Sequence, residues 1–287
     1  MERKHKVGDM NFAHSFWSVP LAKCYFGDLE EKFVQTLVFY ATSVSCVHRS
    51  GHKITLYTDK DGAEILSGIP YDDVVILENT ITSSPKFAAS FKFLALEKMP
   101  LGDVLIDGDL YLYKDEVIRL LESCNEDVVV TCFENACDIR EGLIKSLRKG
   151  FTQLEDKSYY SLNKFIDGYH NTSLIRFNNA ELRDKWIEQY KIYAERYKDI
   201  EFDKCWPDII IEQRHLTDLC RNENYSIKSL FGKEGVPIDN DYASQVGFIH
   251  IGSAKKDMII PSFALLEKYD KQLLNKIYNA IKNIISL

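Results

Sequence analysis

What most constrains this chain is the alternation in its first part. Short apolar runs suited to strands lie at Met10–Phe16, Lys53–Thr58, Asp73–Leu77 and in the stretch VLIDGDLYLY from Val104 to Tyr113. Between them stand segments with apolar residues at helical spacing. In Leu29–Ser45 these are Phe33, Leu37, Val38, Tyr40, Ala41 and Val44. Pro85 suits the first turn of a helix running to Lys98, ended by Pro100-Leu101-Gly102. SFWSVPLAK, after the first strand, reads as a loop. Strand and helix alternating over about 110 residues predict an α/β fold with a mostly parallel, Rossmann-type sheet and helices on both faces. Ligands of such sheets gather at the carboxyl ends of the strands.

The second half is more mixed. Asp127–Phe133 and Asn171–Phe177 are strand-like, Glu181–Tyr197 is a charged amphipathic helix, and Asp208–Cys220 reads as another helix. Gly247–His250 is a last short strand and Leu265–Ile285 a terminal amphipathic helix. With no repeat, low-complexity tract or linker, one domain over 1–287 is expected. It divides into a first half (about 8–115), a second half (about 116–260) and a C-terminal helix (262–287).

Hydrophobic residues at 45% are enough for a full core, which excludes a disordered chain. A net charge of -7 argues against a nucleic-acid partner gripped across the whole surface, but allows a basic cluster around one phosphorylated small molecule. Seven cysteines without a C-x-x-C pair read as thiols of a reducing compartment, not as a disulfide framework or zinc site. MERKHKVGDMNF precedes no apolar leader core, and no run reaches the roughly 18 apolar residues of a membrane span. A cytoplasmic protein is expected.

Within VLIDGDLYLY, Asp107 and Asp109 end a run of buried-type residues. Burying a carboxylate costs several kcal/mol unless something pairs with it. Side chains two apart on a strand share a face, so the two can converge on one object, and Gly108 between them lets that object approach the backbone. A hard divalent cation carrying phosphate oxygens fits best. The bland reading is an Asp-Gly turn between strands; the apolar flanks, with no second turn residue, argue against it. A D-x-D phosphatase would carry the motif on its first strand with a small hydroxyl residue soon after. Here the motif is mid-chain and followed by Leu110 and Tyr111.

FIHIGSAKK (Phe248–Lys256) gathers a strand-end histidine, a glycine and two lysines. His250 can complete the coordination of a cation such as Mn²⁺, Gly252 allows close backbone approach, and Lys255 can neutralise phosphate. Alone, the segment reads as a surface loop. With the distant D-x-D it reads as a metal-and-phosphate site.

VLIDGDLYLY, then HNTSLIRFNN, then HIGSAKK, in that order, resemble the three-part signature of metal-dependent GT-A glycosyltransferases, nearest to the glycogenin and bacterial lipopolysaccharide galactosyltransferase type. SFWSVPL resembles the opening of a less characterised bacterial group of such enzymes. The resemblance implies a Mn²⁺ or Mg²⁺ cofactor held by Asp107, Asp109 and His250, and a nucleotide-diphosphate sugar donor such as a UDP-sugar. It also implies a glycan, lipid-linked or small-molecule acceptor, as in bacterial polysaccharide biosynthesis, and leans towards retention. It assigns Lys255 to the leaving phosphate and Asn171 to the sugar pocket. Lys92, rather than Lys86, would reach the donor from the helix before the D-x-D. Asp208, Glu212 and Gln213 would lie beside the reacting sugar, and Asp59, Ser15 and Trp17 would line base and ribose. Two departures stand out: the His250-to-Gly252 spacing is one residue short, and His170-Asn171-Thr172-Ser173 replaces Phe-Asn-Ala-Gly. The alternatives are a non-catalytic GT-A-shaped module that binds a nucleotide or glycan, and the phosphatase. Each proposed role has a structural counterpart: solvation for Lys86 and Lys92, a helix cap for Asp208, buried core for Trp17 and Trp206. Lys268, Lys271, Lys276 and Lys282 allow weak contact of the terminal helix with an anionic membrane, although docking on the domain explains them as well.

Overall fold

The computed structural model describes residues 10–22, 28–85, 87–134, 168–198, 209–232, 240–252 and 254–285. In the first half, β1 (Phe12–Phe16), β2 (Ile54–Thr58), β3 (Asp73–Ile76) and β4 (Val104–Ile106) alternate with helices. These are α1 (Ser18–Ala22), α2 (Leu29–Arg49), α3 (Lys60–Ile65) and α4 (Ser90–Lys98). Then follow β5 (Leu110–Leu112), α5 (Asp115–Ser123), β6 (Val128–Glu134), β7 (Tyr169–Phe177) and α6 (Ala180–Tyr197). A π-helical turn (Ile209–Arg214) leads into α7 (His215–Glu223), β8 (Ile227–Phe231), α8 (Asn240–Val246) and β9 (Phe248–His250). Helices α9 (Lys255–Tyr269) and α10 (Lys271–Ile285) close the described chain.

Seven strands form one sheet in the order β3-β2-β1-β4-β7-β6-β8, and among them β7 runs against its neighbours. The expected α/β class and mostly parallel sheet are both present. Alternate strand residues feed opposite layers, as the pleat requires. Phe12, Val104 and Ile106 pack with Leu37 and Val38 of α2 and Leu266 of α9. Ala13 and Leu105 pack with Phe91 of α4, Trp186 of α6 and Leu216 of α7. The sheet is thus covered on both faces.

Several boundaries differ from expectation. The loop after β1 contains the short helix α1, and the helix expected from Pro85 begins at Ser90, after turns closed by Phe87 N–H to Ser84 O and Ser90 N–H to Phe87 O. VLIDGDLYLY is two strands rather than one: β4 belongs to the large sheet, β5 pairs antiparallel with β9, and Asp107–Asp109 is the turn between them. The single terminal helix is two, divided at Asp270, whose side chain accepts from Leu273 N–H at 2.9 Å. Among the described residues no helix is long and apolar enough to cross a membrane.

Candidate metal and phosphate site

The two aspartates meet because the chain turns, not because a pleat aligns them. Asp107 N–H donates to Ser173 O of β7 at 2.7 Å, and Leu110 N–H closes the turn onto Asp107 O at 3.1 Å. The Cβ that Gly108 lacks would lie 2.1 Å from the Tyr40 ring. What approaches the backbone at this glycine is therefore an aromatic ring of α2. Tyr40 is itself fixed by donating its hydroxyl to Ser15 O at 3.1 Å.

β9 carries the third group. Leu110 stands opposite His250, and Ile251 N–H donates to Asp109 O at 3.1 Å. Ligand atoms of Asp107, Asp109 and His250 all lie within 4.8 Å of one another. His250 Nε2 is 3.9 Å from Asp109 Oδ1, and Lys255 Nζ is 3.0 Å from Asp109 Oδ2. Gly252 makes the turn from β9 towards α9 with φ +51°, the left-handed region that favours glycine. Two carboxylates and an imidazole at this spacing fit a hard or borderline divalent cation.

Behind Asp107 lies a buried cation. Lys92 is 8% exposed; its ammonium donates to Glu212 Oε1 at 2.6 Å, to Asp107 Oδ1 at 3.1 Å and to Thr172 O at 3.2 Å. The Thr172 hydroxyl also donates to Glu212. Burial alone would lower the lysine's pKa, but Asp107 and Glu212 outweigh it and hold it raised. Burial pushes Asp107 up against the pull of Lys92, with Asp109 and Glu212 adding to the rise. Asp109 is also desolvated, yet Lys255 and His250 bring it below the usual carboxylate range.

Other expected residues have other partners. Asn171 is buried; its amide donates to Glu134 Oε1 at 2.7 Å and its oxygen accepts from Ser173 N–H at 2.9 Å. Asp59 caps α3 through Gly62 N–H at 2.8 Å and holds the start of α1 through the Ser18 hydroxyl at 2.6 Å. Trp17 is buried core, stacked on Phe91 at 5.7 Å, where a large aromatic side chain removes much apolar surface from water. Ser15 is half-buried in β1, and Gln213 is half-buried beside Glu212 in the π-helical turn. Lys86, Trp206 and Asp208 lie outside the described residues. Thr172, Tyr40 and Glu134 were not singled out from sequence. Thr172 carried a signal, being a polar residue in a strand buried along its whole length.

Among solved structures, the chain is similar to the galactosyltransferase LgtC in complex with donor and acceptor sugar analogs. That likeness has 11% identity, 77% of this chain and 73% of that chain covered, and a TM-score of 0.35. It is similar to the apo structure of the bifunctional glycosyltransferase WbbM at 11% identity and TM-score 0.49, with 97% of this chain and 52% of that chain covered. A third is 4-diphosphocytidyl-2C-methyl-D-erythritol synthase from Anaerococcus prevotii DSM 20548, at 13% identity, TM-score 0.37, and 90% and 99% covered. No curated protein matches the sequence. The family model described as a family of unknown function (DUF6734) matches residues 10–286, and the chain belongs to that family.

Proposed function

We propose that this chain is a metal-dependent GT-A glycosyltransferase moving a sugar from a nucleotide-diphosphate donor to a glycan, lipid-linked or small-molecule acceptor. One observation carries the reading: Asp107, Asp109 and His250 converge within 4.8 Å, with Lys255 against Asp109. Asp107, Asp109 and His250 would hold Mn²⁺ or Mg²⁺ and leave further positions for phosphate oxygens. Bound there, the cation supplies Lewis-acid charge opposite a departing diphosphate.

The protein's own groups carry the remaining roles. Lys255 has only donors, so it can turn from Asp109 to a phosphate oxygen but cannot ligate a metal while protonated. Lys92 orients Asp107, and Glu212, with Lys92 and Thr172 bound to its Oε1, anchors Lys92 rather than serving as a free base. Gln213 supplies an amide for sugar or acceptor. Asn171 acts on the sugar through the Glu134 it holds. Asp59 keeps α1 and α3 in place beside the donor.

Thermal shift with nucleotide diphosphates and Mn²⁺, followed by hydrolysis of a nucleotide-sugar panel, tests the reading. The Asp107→Asn/Asp109→Asn double variant should lose the metal-dependent shift; a full shift in that variant would place the site elsewhere. His250→Ala should weaken Mn²⁺ binding itself. Lys255→Ala should spare the metal and slow transfer by roughly 10²–10³, the usual loss when one charge-stabilising donor is removed.

A further inference from the structure

Beneath the DGD turn runs a row of buried polar groups outside the ligand set. Tyr71 Oη lies 2.8 Å from His14 Nδ1, His14 Nε2 lies 3.0 Å from Ser43 Oγ, and Ser43 Oγ lies 2.7 Å from Leu110 O. His14 and Ser43 are fully buried. Proton inventory gives the row a direction. Leu110 O is a carbonyl and can only accept, so it takes the single Ser43 hydroxyl proton. The Ser43 oxygen must then accept from His14, which places the imidazole proton on Nε2. Burial holds His14 down at about 3, so the ring is neutral and its bare Nδ1 accepts from the Tyr71 hydroxyl.

The row ends at a defined place. In the β5–β9 ladder, Ile251 N–H donates to Asp109 O and Tyr113 N–H to Gly247 O. Leu110 and His250, next to the first of these, are therefore a non-hydrogen-bonded pair, and the Leu110 carbonyl points away from β9, towards α2. Without Ser43 that buried carbonyl has no ladder partner. Its residue, Leu110, follows Asp109 in sequence and stands opposite His250 across the ladder, although the carbonyl itself points the other way.

We infer that Tyr71, His14 and Ser43 are positioning residues that lock the Leu110 carbonyl and thereby hold Asp109 and His250 at metal-binding distance. The row acts as a directed series, Tyr71 O–H to His14, His14 Nε2–H to Ser43, Ser43 O–H to Leu110, in which each bond polarises the next. Tyr40, whose ring takes the place of a side chain at Gly108, braces the same turn from α2. The inference rests on the proposed metal site, but the row can be tested separately from it.

The test uses the full chain with Mn²⁺ as the only ligand. Affinity is read from the electron paramagnetic resonance of free ion, and ladder integrity from exchange of the Ile251 amide. Ser43→Ala should weaken Mn²⁺ binding by roughly 10–100-fold, the usual loss when a group supporting a ligand is removed, and should speed Ile251 exchange. Ser43→Thr, which keeps the hydroxyl, should stay closer to the unmodified chain, and Tyr71→Phe should show a smaller loss than Ser43→Ala. A Ser43→Ala protein with unchanged Mn²⁺ affinity and unchanged Ile251 exchange overturns the inference. If the unmodified chain binds no Mn²⁺, the metal reading fails, while Ile251 exchange still decides the role of the row. If Ser43→Ala does not fold, imidazole ¹⁵N spectra of the unmodified chain decide. An Nε2–H tautomer at His14 supports the series, and an Nδ1–H tautomer overturns it.

Discussion

Lys92 is a cation removed from water and compensated by two anions, and the site depends on that balance. Its neighbours Asp107 and Glu212 are like charges that would repel without it. Removing one partner of a buried ionic group leaves the others uncompensated, at a typical cost of about 3–5 kcal/mol. Lys92→Met, which keeps the stem and deletes the charge, should therefore lower unfolding stability by about 3 kcal/mol, read from urea denaturation. Glu212→Gln should cost less, because Asp107 and the Thr172 carbonyl still satisfy the ammonium. Equal losses for the two would mean that Asp107 and the Thr172 carbonyl do not compensate the ammonium once the Glu212 charge is gone. Residue types in the motifs could be read from the sequence, since carboxylates and a histidine beside apolar runs are costly without a task. How each side chain was already occupied could not. Asn171 and Asp59 have hydrogen-bond partners fixed by strand register and helix starts, which no local pattern specifies.

At the scale of elements, the controlling feature is the break between β4 and β5. Ten residues with a nearly continuous apolar pattern read as one strand, because both pieces are buried and periodicity does not register a change of sheet. The change becomes visible only when β9 arrives to pair with β5. Gly108 lets α2 close over the break, which yields a prediction. Gly108→Ala places a methyl group 2.1 Å from the Tyr40 ring, so the turn or the helix must shift. Overpacking of this kind costs about 1–3 kcal/mol. Mn²⁺ affinity should fall with stability, and Tyr40→Leu should restore part of both in the double variant; simple additivity would show that the two positions are not coupled. β8 was missed because Ile227–Phe231 carries a lysine and a serine and reads as surface, while its parallel pairing with β6 depends on distant chain. The division at Asp270 was missed because apolar spacing continues across it.

Among the described residues three histidines are buried where the neutral ring is favoured, and this shapes the response of the whole molecule to acid. Burial holds His14 at about 3, and His170 and His215 at about 4, against an ordinary value of 6.5. Below pH 6.5 the unfolded chain takes up protons at these rings while the native chain refuses them, so stability falls as pH falls. The loss begins near pH 6.5 and continues until the native values are reached. At pH 5 each ring accounts for about 2 kcal/mol, or about 6 kcal/mol for the three, comparable with the whole stability of many domains. Asp72, Asp109 and Asp127 have lowered values, so their contribution is lost only in more acid solution. Asp103 and Asp107 have raised values and act in the opposite direction, gaining protons in the native state first. The ordinary histidine value lies inside the interval from pH 7 to pH 5 and the ordinary carboxylate values below it, so the histidines act first as pH falls. Urea midpoints across the interval should decline steadily, and His215→Leu should remove about a third of the slope, because leucine carries no proton to titrate in place of one of the three rings. A midpoint unchanged between pH 7 and pH 5 would mean that these rings are charged in the native state. The Tyr71–His14–Ser43 series would then lose the neutral imidazole it requires.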